Sequence, residues 1–346
     1  MKTMRAHKSE NYNWVFNTVN GSFCRWGKTT KDDPKFSPIG PEILDLEIST
    51  ICHGIKNVPC SHCYKSNTGT GKVMSFETFK IIFDKMPKNL TQIAFGIGDI
   101  DANPDMWRMF KYSRENGVIP NVTINGDRMT PEEYHALVHY CGAVAVSRYA
   151  QYDVCYDAVD ELTKLGLKQV NIHQLLCRET YDSCFKLIDE LTTDDRLSKL
   201  YAVVFLMMKP KGDRNKMTSV GNMDDYKKLI DYAFSKSARI GFDSCFAPTF
   251  LSCVKDHKDF NKFVEMAEPC ESSLFSSYIN VDGRYVHCSF TEGEDGWDGV
   301  DVVACDDFIK DVWYGEETMK FRESLTSQKH DDIAPGCRKC PVFKLV

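Results

Sequence analysis

The chain has 346 residues, a formal net charge of −6, and 42% hydrophobic and 27% charged residues. That is the make-up of an ordinary globular protein, long enough for one large α/β domain and a smaller one. The longest apolar run, Tyr201–Met208, falls far short of a membrane span, and the N-terminal MKTMRAHKSE holds no secretory segment; a cytoplasmic location without membrane association is expected. Scattered basic residues argue against sequence-blind nucleic-acid binding, which needs a positive face. Fifteen cysteines in a chain of this size point to metal ligation rather than a disulfide scaffold.

Residues up to about Pro41 are polar and turn-rich, with aromatics at Tyr12, Trp14, Phe16, Phe23 and Trp26, and read as an extension packed on the main domain. From Ile43 the pattern alternates between strand-like apolar runs and amphipathic helical runs, as in parallel βαβ units. Strands are predicted at 43–49, 91–96, 119–124, 143–147, 168–176, 200–208 and 238–242. Helices are predicted at 75–85, 104–116, from Thr130, and at 152–165, 180–191 and 224–234. Ser75 serves as an N-cap, and Thr130-Pro131 supplies a cap with proline in the first turn. Six or seven such units fit a partial barrel, and a doubly wound sheet gives the same string.

The first strand runs into a loop that holds Cys52, Cys60 and Cys63, spaced C-x7-C-x2-C, with Tyr64 directly after. Three thiolates on one loop can hold three corners of a cubane iron–sulfur cluster and leave one iron open. A zinc site with His53 or His62 as fourth ligand, or three unrelated cysteines, are the plainer readings. The stretch resembles the cluster loop of the radical S-adenosylmethionine (radical SAM) enzymes, which follows the first strand of an incomplete β/α barrel. The family spacing is C-x3-C-x2-C. The seven-residue first gap departs from it, while the C-x2-C half and trailing aromatic are intact.

In parallel α/β sheets functional groups gather at the C-terminal ends of strands. The resemblance implies SAM contacts there. The second strand ends in Gly96-Ile97-Gly98-Asp99. Ile97 and Gly98 stand at the glycine pair and Asp99 at the acid of the family's Gly-Gly-Glu on the methionine amino group, and Asn125 stands in an Asn-Gly turn. Ser147 or Arg148 would meet the methionine carboxylate, and a guanidinium suits that role. Asn171, His173 and Gln174 would meet ribose or substrate, and His62 and Tyr64 would lie near the cofactor. Each of these also reads as a strand-end residue bonded to a nearby loop. The basic loop Lys209–Lys216 reads as a solvated loop or as a clamp for an acidic or phosphorylated substrate.

Cysteines return after Phe242 at 245, 253, 270, 288, 305, 337 and 340. Cys270-x12-Gly283-x4-Cys288 spans a hairpin with an Asp-Gly turn, and Cys337-x2-Cys340 closes the set. This resembles the SPASM or shortened twitch auxiliary domains of radical SAM proteins and implies one extra [4Fe–4S] cluster on Cys270, Cys288, Cys337 and Cys340. Cys245, Cys253 or Cys305 are possible substitutes, and a four-cysteine zinc is the plainer alternative. The expected architecture is a partial (β/α)6 TIM-like barrel at 43–244, with an N-terminal extension at 1–42 and a small α+β auxiliary-cluster domain at 245–346.

The resemblance implies that an electron from a flavodoxin or ferredoxin reduces the loop cluster. The cluster then cleaves SAM to methionine and a 5′-deoxyadenosyl radical, which removes hydrogen from an unactivated carbon. An auxiliary cluster favours an oxidative outcome. A peptide or protein substrate is the first expectation and a nucleotide or small metabolite the second. A non-catalytic iron–sulfur or zinc binding protein is the alternative of a different class.

Overall fold

The computed structural model describes residues 3–32, 34–294, 296–327 and 337–345. Its first three strands, β1 (Met4–His7), β2 (Asn13–Asn17) and β3 (Phe23–Trp26), form an antiparallel sheet where the sequence reading expected only an extension. These strands are four or five residues long, too short to show a clear alternation. Tyr12, Trp14 and Phe16 are nevertheless wholly buried, in one cluster with Leu274, Phe275 and Leu325. Arg25 pairs with Glu42 at 2.6 Å and Glu271 at 2.5 Å, so this small sheet is tied to both later parts of the chain.

The body of the molecule follows the predicted alternation. It runs β4 (Ile43–Glu47), α1 (Phe76–Lys85), β5 (Gln92–Gly96), α2 (Met106–Glu115), β6 (Ile119–Ile124) and α3 (Pro131–Tyr140). It continues through β7 (Ala143–Ser147), α4 (Tyr152–Lys164), β8 (Gln169–Leu176), α5 (Tyr181–Thr193), β9 (Ala202–Met207), α6 (Met223–Ser235) and β10 (Ile240–Phe242). Local chemistry sets the helix starts: the Ser75 side chain accepts from Thr78 N, and Thr130 and Glu133 form a reciprocal capping box with Pro131 in the first turn.

β4 to β10 are parallel and lie in chain order. Strand alternation gives this sheet two faces. Leu44, Leu46, Val170, Ile172, Val203 and Phe205 enter the helix layer and are fully or almost fully buried. The other face looks into a hollow interior, which is the partial barrel expected.

The C-terminal region then adds α7 (Ala247–Cys253), α8 (Phe260–Met266), β11 (Ser276–Ile279), β12 (Arg284–Val286), β13 (Val300–Asp301) and α9 (Glu316–Ser327). β11 pairs in parallel with β4, and β12 and β13 follow antiparallel, so one ten-stranded sheet runs from β10 to β13. The expected small C-terminal α+β unit is thus sewn to the barrel's first strand. No helix among the described residues is long and apolar enough to cross a membrane.

Candidate functional site

The cysteine loop leaves β4 and returns to α1 as a braced pair of legs. Ser49 bridges Val73, Ile51 bridges Thr68, and Cys52 N donates to Thr68 O at 2.7 Å. The long first gap is a closed excursion. Ile55 and Val58 bridge antiparallel around Lys56 (φ 51°) and Asn57 (φ 62°), the signature of a type I′ turn. Gly54, at φ +78°, lies so close to the returning chain that a Cβ there would stand 1.9 Å from Val58 O. The chain therefore leaves and rejoins at nearly one place. The turn leans on the loop after β6 through Lys56 N to Asp127 Oδ2 at 2.8 Å.

Three further elements hold the loop. Gly98 packs on the Ile51 carbonyl and the Cys52 Cβ, and Asp99 N donates to Ile51 O at 2.9 Å. The 209–216 loop packs on the far leg: Asp213 N donates to Ser66 Oγ at 2.7 Å, and Arg214 donates to the carbonyls of Ser66 and Asn67. Tyr64 packs against Phe290 with ring centroids 4.3 Å apart and the planes tilted by 34°, and Lys65 pairs with Glu47 at 3.0 Å and with Glu292. These last contacts join the first cysteine loop to the segment that carries Cys288.

Cys52, Cys60 and Cys63 face a cavity of about 470 Å³, within the range of small-molecule sites. Its wall also includes His62, Tyr64, Gly96, Gly98, Asn125, Ser147 and His173, so these predicted residues are brought together at the C-terminal ends of successive strands. The predicted Asn171 lies on the interior face of β8, deeper than His173 and outside the cavity lining. Burial pushes the Cys52 thiol up to about 12 and the Cys60 thiol up to about 11, with Arg214 and Tyr149 partly offsetting the rise at Cys60. Burial also lowers His62, and lowers His173 to about 4, so both imidazoles are neutral at pH 7.

Three predicted residues are placed elsewhere. Arg148 follows Ser147 on a strand whose alternation turns it to the helix layer. Its side chain is fully buried there, bonded to Tyr156 at 2.8 Å, Gln174 at 2.8 Å and Glu190 at 3.2 Å. Gln174 is its partner and faces away from the cavity for the same reason. Asp99 turns back to the cysteine loop: its Oδ2 accepts from His53 N at 2.9 Å, contacts His53 Nδ1 at 2.6 Å and meets Arg128 at 3.4 Å. The basic loop also departs from the clamp reading. Lys209 is buried against Asp243, Lys211 pairs with Glu294, and Arg214 is held by carbonyls.

Sequence reading missed Asp45, Glu47, Lys65, Tyr149, Asp243 and Tyr278, all of which line the cavity. For the two acids a signal was present, since Asp45 and Glu47 alternate with Leu44 and Leu46 and so share the opposite face.

In the second cysteine group, Cys270 lies within electrostatic reach of Cys288 and Cys340, Cys288 within reach of Cys340, and Cys245 within reach of Cys270 and Cys288. Cys337 is wholly buried beside Leu251. Among the described residues, no three His, Cys, Asp or Glu side chains converge on a point that a single metal ion would fill. A tetrahedral zinc needs its sulfurs about 3.8 Å apart. A cluster's ligands stand on different irons and spread wider.

No protein-family model and no curated protein matches the chain in sequence. Solved structures do match. Streptococcus suis SuiB bound to S-adenosylmethionine superposes with a TM-score of 0.69 at 12% identity, over 97% of this chain and 92% of that one. SuiB bound to the precursor peptide SuiA gives a TM-score of 0.69 at 13% identity, over 92% and 89%. The protein anSMEcpe with bound AdoMet and the Cp18Cys peptide gives 0.57 at 14% identity, over 84% and 85%. The chain shares the fold of these proteins along most of its length.

Proposed function

We propose that this chain is a radical SAM enzyme that oxidatively modifies a peptide or protein, with residues 43–244 as its core and 245–346 as an auxiliary-cluster domain. One observation carries the reading: three cysteines of a single loop stand at the mouth of a cavity built from the ends of successive parallel strands. The fold shared with SuiB and anSMEcpe, both solved with S-adenosylmethionine and with a peptide, supports it. When bound, a [4Fe–4S] cluster on Cys52, Cys60 and Cys63 and S-adenosylmethionine supply radical abstraction of hydrogen from a substrate carbon. Cys270, Cys288, Cys337 and Cys340 would hold a second cluster able to accept an electron.

The chain's own residues do the positioning. Gly96, Gly98, Asn125, Ser147 and His173 offer backbone and polar groups to the cofactor, and His62 and Tyr64 flank it. His62 packs on Tyr149 with ring centroids 5.0 Å apart. Phe95, Leu175, Leu206, Met207 and Phe290 give the same cavity an apolar part of its wall. A nucleotide substrate drew its support from the 209–216 loop, whose Lys209, Lys211 and Arg214 are already matched within the protein, which favours the peptide reading.

Anaerobic reconstitution with iron and sulfide, followed by dithionite and SAM, tests the proposal. 5′-Deoxyadenosine is expected from the native sequence and none from Cys60→Ala. Equal yields from both would show that the loop does not hold the reactive metal.

A further inference from the structure

Asp45 lies at the middle of β4. Alternation turns it, with Ile43 and Glu47, away from the helix layer that Leu44 and Leu46 enter. The register pairs Glu47 with Gly96 and Asp45 with Ala94, so Asp45 lies about 7 Å below the strand ends. Its register partner Ala94 carries only a methyl group, and Asp45 itself lines the cavity.

The other charged groups of the cavity wall are matched. Glu47 pairs with Lys65, and Lys209 with Asp243. His62 and His173 are neutral. Asp45 is different: no described residue hydrogen-bonds or ion-pairs with its side chain. It is open to the cavity's own water yet ringed by protein, and this burial pushes its carboxyl up to about 6. Aromatic rings stand beside it. Tyr278 is its register partner on β11, and the Tyr64 hydroxyl lies within reach of its charge. A carboxylate flanked by aromatic rings suits an organic cation, which gains from both. An unmatched acid inside a barrel costs stability, a cost that function would explain.

We propose that Asp45 is a specificity-determining residue that receives the ammonium or guanidinium of a basic side chain of the peptide substrate, drawn into the barrel below the cofactor. The inference rests on the function proposed above. SAM also carries positive charge, at its sulfonium and amino groups. The residues assigned to it lie one layer higher, at the strand ends, so the deeper acid is left for the substrate.

The test uses reconstituted protein with SAM and fluorescein-labelled pentapeptides that carry lysine, norleucine or glutamate between pairs of alanines, with Kd read by anisotropy. The lysine peptide is expected to bind at least about tenfold tighter than its uncharged norleucine counterpart. That ratio should fall to within about twofold in Asp45→Asn, and Asp45→Lys should prefer the glutamate peptide. Equal binding in the native protein, a lysine preference that survives Asp45→Asn, or no binding of any peptide overturns the proposal. So does a tenfold loss of SAM affinity in Asp45→Asn, which would assign the carboxylate to the cofactor, or a lower Tm for that variant, which would make Asp45 structural. Formation of 5′-deoxyadenosine by the native protein without peptide is measured alongside. Its absence would remove the radical reading itself, whichever peptide binds.

Discussion

At Gly98 an added Cβ would stand 1.8 Å from the Ile51 carbonyl oxygen and 2.8 Å from Cys52 Cβ, so Gly98→Ala must displace the cysteine loop. Iron bound after reconstitution is expected to fall below about half of the native level, because the backbone cannot yield as a flexible side chain would; native iron content would contradict that packing. Arg148 gives the opposite kind of prediction. Arg148→Ala removes the guanidinium from Tyr156, Gln174 and Glu190, while Glu190 keeps Tyr156 and Lys186, at a cost of about 1–3 kcal/mol by thermal denaturation, and SAM affinity stays near native. A stable variant with lost SAM binding would reinstate the carboxylate role that the residue type alone implied. Asp45 adds a pH signature. Its folded-state carboxyl is raised to about 6 by burial, so the folded protein holds a proton that the unfolded chain releases near pH 4. Its contribution to stability is therefore lost as pH rises from about 4 through 6. Asp45→Asn should raise Tm at pH 7.5 and leave it near native at pH 4, and an unchanged Tm at both would mean the acid is well solvated. At this scale residue types were legible and directions were not. Ser147 and Arg148 are neighbours in sequence on opposite faces of a strand, and only the register decides which one meets the cavity.

Among the elements, the cysteine loop departs furthest from the pattern it resembles, and its geometry accounts for the departure. The turn at Lys56-Asn57 is closed by Val58 N to Ile55 O at 3.0 Å, and Gly54 touches the returning chain. Deleting residues 55–58 would restore a three-residue gap. Iron loading of that deletion variant is expected within about twofold of native, since hairpins closed on themselves are removable where their ends meet. Background iron would show that the turn itself shapes the site. The strands and helices of the barrel were legible because each carries a period and a cap, and their ends moved by only a residue or two. The N-terminal sheet was not, since its short strands are stabilised by contacts with Leu274, Phe275 and Leu325, far along the chain. The 209–216 loop misled for a related reason: a run of cations gives no sign of the carboxylates and carbonyls that lie opposite it in the fold.

For the molecule as a whole, the continuity of the sheet is the feature that composition hid. β11 covers the β4 edge, Lys65 and Tyr64 reach Glu292 and Phe290, and Arg25 binds both Glu42 and Glu271. A chain ending at residue 244 would expose the β4 edge and strip one wall from the cavity; such a truncation is expected to aggregate, and a soluble monomer that binds SAM would contradict this. The paired change Cys337→Ala and Cys340→Ala should lower iron from about eight to about four per chain, whereas unchanged iron would place the second cluster on other cysteines. The proposed function rests on an iron that the protein would leave without a side-chain ligand. Electron paramagnetic resonance of the dithionite-reduced, reconstituted protein before and after SAM addition tests it most directly. A [4Fe–4S]+ signal whose g values shift on SAM addition, and which is missing from Cys60→Ala, is the predicted result. A signal indifferent to SAM, or a protein that carries only zinc, would contradict the account.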